Sequence, residues 1–199
     1  APVKIGKTTD VGGLAVMMAG CQVAPDRDAP PGLLDRAVAE LQAQFHEGPP
    51  AARANCIEAM QPLDDARATA MIEQGFHDPE WVVRFAAAMA AGKLRVQFIP
   101  VLRRLATTDA NASVRVAAIY ALRRLGDTAN MNVLAETLVN PDPAVRANTA
   151  LVLGLMGDKS AIPMLLNHRD EANLRVKFEL IAALARLGHV AAQRNIPVM

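Results

Sequence analysis

A basic residue recurs every 31 residues along most of this 199-residue chain, and no other feature restricts the fold as strongly. Small or apolar side chains follow it at offsets of three, seven and ten residues, which places them on one face of an α-helix. Six residues before it stands an acidic or amide side chain, a type typical of turns and helix N-caps. The basic column is Arg53, Arg84, Arg115, Arg146 and Lys177, and the column before it is Glu47, Asp78, Asp109, Asn140 and Glu171.

A second helix is predicted after each of these first helices. Gly126-Asp127 and Gly157-Asp158 are suited to end one helix and begin the next. Pro100 and Pro163 fit the first turn of the following helix, where a missing N–H costs nothing. The chain is 52% hydrophobic but only 4% aromatic, which favours helices packed through small side chains. These features predict an all-α fold, an α-solenoid of antiparallel helix pairs over residues 32–199, whose second helices line a concave surface.

The columns resemble the short HEAT-like repeats of bacterial proteins, including the phycobilisome-lyase type, over about residues 49–199. The resemblance rests on Val-Arg, an Ala-rich helix, Leu-Gly-Asp and Ile-Pro-x-Leu in register. It implies that the arginine column pairs with acidic side chains of neighbouring turns and forms a ladder along the array. Lys177 should break this ladder at its last position, since an ammonium lacks the planar fork that pairs bidentately.

Residues 1–20 are similar to a secretion signal. Lys4 and Lys7 precede a short apolar stretch, and Met18-Ala19-Gly20-Cys21 resembles the bacterial lipoprotein box. That resemblance implies lipidation at Cys21, with residues 21–31 as a Pro-rich tether and the protein on the periplasmic side of the cell envelope. The alternative is an uncleaved N-terminal arm that packs on the solenoid or on a partner. In that case the protein would be cytoplasmic.

No motif in the sequence predicts catalysis, and we expect no cofactor. His46-Glu47 and His77-Asp78 resemble the metal-binding pairs of the HEAT-like deoxyhypusine hydroxylase, but later repeats lack the equivalent residues, so no metal site is predicted. A HEAT-like lyase or hydroxylase that binds a tetrapyrrole or a metal is the alternative function. The net charge of +1 does not favour nucleic acid as a partner.

The expected function is therefore a non-catalytic scaffold for protein partners, as an accessory subunit of a larger membrane-associated complex. The last first helix lacks a complete following helix, so its face is expected to meet another subunit, unless a longer chain was trimmed. The candidate partner contacts are Trp81, Arg103, Arg104, Glu136, His168, Phe178, Ile181 and Leu184.

Overall fold

The computed structural model describes residues 32–63, 65–93, 96–127 and 131–189, and the part of the chain it describes contains ten α-helices and no strand. The predicted all-α solenoid fold is confirmed. The signal-like segment and tether, with Cys21, lie outside these residues, as does the C-terminal segment from 190 onward. The helices are α1 (Leu33–Glu47), α2 (Pro50–Met60), α3 (Ala66–Gly75), α4 (Trp81–Ala91), α5 (Ile99–Thr108), α6 (Ala112–Arg124), α7 (Asn132–Leu138), α8 (Pro143–Met156), α9 (Ile162–Leu166) and α10 (Leu174–Arg186).

The even-numbered helices form one continuous stack. Helices α2, α4, α6, α8 and α10 each pack against the next in that order, and each odd-numbered helix packs mainly on the even-numbered helix that follows it. Helix α4 is buried over nearly its whole length, because it has a neighbour in the stack on both sides. The odd-numbered helices and the last member of the stack, α10, therefore keep an exposed face.

Small side chains let the stacked helices approach closely. A methyl group added to Gly154 of α8 would lie 2.7 Å from the Cα of Ala183 in α10. One added to Gly92, just after α4, would lie 2.9 Å from the Cα of Ala121 in α6. These contacts explain why the chain uses Ala and Gly where a larger side chain would separate the repeats.

The column before the basic residues forms turns rather than N-caps. Asp78 accepts a hydrogen bond from the backbone N–H of Glu80, and Asp109 accepts one from Asn111. The cap lies two residues later, where Asn111 accepts from Ser113 N–H and Asp142 from Ala144 N–H. The sequence interpretation of this column was therefore right for turns and wrong for N-caps, because two further residues of the turn precede the helix.

Three arginines pair with acids of the next repeat, as the ladder prediction requires. Arg84 donates from Nε to Asp109 Oδ2 at 2.8 Å and from Nη2 to Oδ1 at 3.0 Å. Its Nη1 donates to the carbonyls of Asp78 and Pro79 at 2.9 and 2.8 Å. We call each such arginine–acid pair a rung, and each rung joins a first helix to the turn 25 residues later. The other two rungs are Arg53–Asp78 and Arg146–Glu171.

The rungs keep their acids ionised. Burial alone raises the pKa of Asp109, but hydrogen bonds from Arg84 and from the Asn111 N–H outweigh it, so the pKa falls below its ordinary value. The pKa of Glu171 is lowered chiefly by its hydrogen bond from Arg146. A lowered pKa stabilises the fold above the unfolded pKa of about 4, and that stability is lost as the pH falls through the folded value. Lys177 is exposed, and none of the described acids pairs with it.

Gly154→Ala tests the close approach of the stacked helices. Replacing Gly by Ala inside a helix ordinarily stabilises it by roughly 0.5–1 kcal/mol. Here we expect the opposite, a loss of about 1–3 kcal/mol, because the new methyl group meets the backbone of Ala183. Thermal unfolding followed by circular dichroism measures the change, and an unchanged or higher Tm for the variant would contradict the packing described.

Candidate functional site

One rung of the ladder lacks its acid. The position 25 residues after Arg115 is Asn140, whose Oδ1 accepts the backbone N–H of Asp142 at 3.0 Å. Arg115 still donates from Nη1 to the carbonyls of Asp109 and Ala110, at 2.7 and 3.3 Å. Its Nε and Nη2 receive no acceptor from the described residues. The expected pairing of the whole arginine column was therefore wrong at Arg115, because an amide has replaced the carboxylate.

A cavity of about 620 Å³ lies at this unpaired arginine. We call it the α5–α7 groove, because those two helices form its sides and α6 forms its floor. Ile119 and Leu122 of α6 close the floor, and the half-buried Ala106 and Val133 give the walls an accessible apolar surface. The charged and amide side chains around the groove are Arg103, Arg115, Asp127, Glu136 and Asn140.

The groove exists because its two walls do not pack against each other. Helices α5 and α7 rest on different members of the stack, α5 on α6 and α7 chiefly on α8. Helix α7 is also short, with seven residues against ten in α5. The missing rung removes a further link between the α6 repeat and the turn after α7. The space between these two second helices thus stays open above the closed floor.

The charges in the groove balance. Arg103 donates from Nε to Asp127 Oδ2 at 2.9 Å, and its Nη2 lies 2.8 Å from the same oxygen as an ion pair. The Asp127 side chain is only 9% exposed. Glu136 is exposed and has no ion-pair partner among residues in the described ranges. Two arginines and two acids leave little net charge. Binding here therefore depends on direct contacts rather than on long-range attraction.

The hydroxyl groups in the groove are occupied. Thr137 donates to the carbonyl of Val133 at 2.9 Å, and Thr107 donates to that of Arg103 at 3.0 Å. Each hydroxyl hydrogen therefore points to the backbone of its own helix rather than to a general base.

Two of the predicted partner contacts, Arg103 and Glu136, lie together on the groove. Arg104 is exposed on the same helix as Arg103 but does not line the groove. His168 is half-buried in the turn after α9. Trp81, the first residue of α4, is half-buried against the core, so much of its ring already packs within the chain.

The predicted apolar face of α10 is only partly exposed. Phe178 is 53% exposed and Ile181 is half-buried, whereas Leu184 is 6% exposed and belongs to the core. Leu184 was therefore wrong as a partner contact. Sequence reasoning also missed Leu174, which is 81% exposed one turn before Phe178. An i, i+4 spacing between these two apolar residues was the available signal.

The histidines and the described cysteine form no reactive cluster. His46 and His77 are both exposed, and no group of three His, Cys, Asp or Glu side chains that could hold a metal occurs within the described ranges. Cys56 is buried in α2, and burial raises the pKa of its thiol. Cys56 is therefore a small core residue.

A buried carboxyl group at Glu58 was not foreseen. Burial raises its pKa to about 7, although the positive charge of Lys93 opposes the shift. Its Oε1 is buried and has no hydrogen-bond partner among the described residues. Lys93 donates to Gln61 at 2.8 Å. The signal was present in the repeat, since the equivalent positions are the apolar Met89, Tyr120, Leu151 and Ala182.

Glu58→Gln should stabilise the protein at high pH only. Below about pH 4 the carboxyl is protonated in folded and unfolded chains alike. As the pH rises towards 7 the unfolded chain releases the proton first, and this favours unfolding. We expect the variant to gain about 1–2 kcal/mol at pH 8, after allowance for solvent screening at this half-buried site, and almost nothing at pH 4.

Thermal unfolding at both pH values measures this difference. Glu73→Gln, at an exposed position of α3, is the matched control and should change little at either pH. An equal gain from Glu58→Gln at pH 4 and pH 8 would show that titration of Glu58 is not its cause.

The sequence matches a known family of repeat proteins in two places. The family described as HEAT repeats matches residues 38–123 and again residues 99–185. The two matches overlap and together span most of the described helices and more than half of the chain. The comparison with curated proteins found no match.

Proposed function

This chain belongs to the HEAT-repeat family, and on that premise we propose that it is a non-catalytic scaffold that binds a protein partner in the α5–α7 groove. The observation that carries the proposal is the groove itself, with apolar side chains exposed in its walls and a balanced polar rim. Protein interfaces commonly combine an apolar centre with polar groups at the edge. Repeat arrays suit this task because they present extended surfaces on a fixed framework.

Rigidity of the groove supports the same function. Its floor belongs to the buried stack, in which Ile119 is 1% exposed and Leu122 is 2% exposed. The rungs on either side, Arg84–Asp109 and Arg146–Glu171, hold the flanking repeats. A partner would therefore meet a largely preformed surface and lose less free energy to ordering of this chain.

We extend the proposal to a bacterial accessory subunit of a membrane-associated complex, held at the periplasmic side of the envelope by lipid on Cys21. The support is the lipoprotein-like box and the Pro-rich tether after it. Cys21 lies outside the described residues. None of the described helices has the length and apolar character to span a bilayer.

Site-specific photo-crosslinking in the source cells tests the groove as the partner site. A benzoylphenylalanine placed at Glu136, on the groove, should give a discrete product with a partner protein. The matched control is the same probe at Ala135, which is exposed on the same helix but does not line the groove. Equal products from both positions, or none from Glu136, would contradict the proposed site.

Mass spectrometry of the protein isolated from its native membranes tests the anchor. We expect the N-terminal peptide to begin at Cys21 and to carry acyl groups, because the box predicts cleavage before that residue. A Cys21→Ser variant should then be lost from the membrane fraction. A native N-terminal peptide that runs uncleaved through Cys21 would rule out the anchor while leaving the groove proposal intact.

A further inference from the structure

We propose that the α5–α7 groove binds an aspartate or glutamate side chain of the partner, which takes the place of the missing ladder acid beside Arg115. This inference rests on the proposed scaffold function and adds the chemistry by which the partner is recognised. The occupant of the groove is a carboxylate side chain of a polypeptide, and an apolar residue stands beside that side chain in the partner.

The donors that would hold this carboxylate are already positioned by the repeat. In each complete rung, arginine Nε and Nη2 bind both oxygens of a carboxylate while Nη1 is fixed on backbone carbonyls. Arg115 keeps the Nη1 anchor on Asp109 and Ala110. Its other two donors therefore lie on the edge that binds an acid in the neighbouring repeats.

Asn140 adds a second side chain in the groove whose donor lacks an acceptor among the described residues. Its Oδ1 accepts the Asp142 N–H, and its Nδ2 is a donor, so the side chain has no acceptor in place of the second carboxylate oxygen of a complete rung. Arg115 and Asn140 both line the groove, and both offer unused donors there. A carboxylate from outside would supply acceptors to the two side chains at once.

The surroundings favour a carboxylate on a peptide over a free inorganic anion. Arg103 is engaged by Asp127 at 2.8 Å, and Glu136 adds a negative charge to the rim, so there is no net positive field to concentrate small anions. Ala106 and Val133 line the groove and are only half-buried, so they offer an apolar contact to a residue beside the acid. A polypeptide can supply a carboxylate and an apolar neighbour together, which a free inorganic anion cannot.

Asn140→Asp is the most informative variant, because it restores the rung within the chain. The new carboxylate should pair with Arg115, raise the Tm by roughly 2–4 °C and lower binding of an acidic ligand at least about tenfold. Arg115→Gln should lower binding similarly without the gain in Tm. Arg104→Gln, the same charge change at an exposed position outside the groove, is the matched control and should bind normally.

Nuclear magnetic resonance of the arginine Nε–Hε groups reads out binding directly. The probes are acetyl-Leu-Asp-Leu-amide, its Asn counterpart, and acetyl-Leu-Asn-Leu with a free C-terminal carboxylate. We expect only the Asp peptide to shift the Arg115 signal, and we expect Asn140→Asp to abolish the shift. A shift with the free C-terminus alone would overturn the side-chain assignment, and equal shifts with the Asp and Asn peptides would overturn carboxylate recognition.

The crosslinked partner separates this inference from the proposed function. If the partner binds Arg115→Gln and Asn140→Asp as tightly as the wild-type chain, the carboxylate inference is wrong and the scaffold function stands. If no partner crosslinks at Glu136 while the Asp peptide shifts the Arg115 signal as expected, the carboxylate site stands and the assignment of a protein partner there fails.

Discussion

The bidentate pair between an arginine and an acid 25 residues later is the interaction on which this array depends. It ties a stacked first helix to the turn that begins the next repeat, and the same acid also accepts an N–H of that turn. One carboxylate therefore fixes both the local turn and the spacing of two repeats. The acids are largely buried, since Asp109 is only 5% exposed in its side chain, and a lost partner would leave a charge without compensation.

The α5–α7 groove opens beside the one described arginine whose rung is incomplete. Asn140 preserves the turn through its Oδ1 but cannot accept both donors of Arg115. The chain thus gives up part of the stabilisation between two repeats at the place where a cavity opens. Functional sites are commonly places where a protein departs from a rule that the rest of its structure obeys. The proposed ligand supplies the carboxylate that a complete rung would have at this position.

Much of the fold could be predicted from the sequence because the same residue types, and so the same contacts, recur at a fixed interval along the chain. The 31-residue interval gave the helix pairs, and the resemblance of the columns gave the pairing of Arg53, Arg84 and Arg146. Exposed charges on second helices identified Arg103 and Glu136. The groove was not predictable, because it depends on how far α5 and α7 lie apart, which no local pattern records. Burial of Leu184 was missed for a similar reason, since it depends on tertiary packing.

The most direct test is a pair of double-mutant cycles that measure the free energy of unfolding. One cycle is made at Arg84–Asp109 and the other at Arg115–Asn140. In each cycle Gln replaces the arginine and Ala replaces its partner. A complete rung should give a coupling energy of about 2 kcal/mol, and the incomplete one a value near zero. Equal couplings at the two positions would contradict the account, because Arg115 would then be engaged within the chain and not available to a partner.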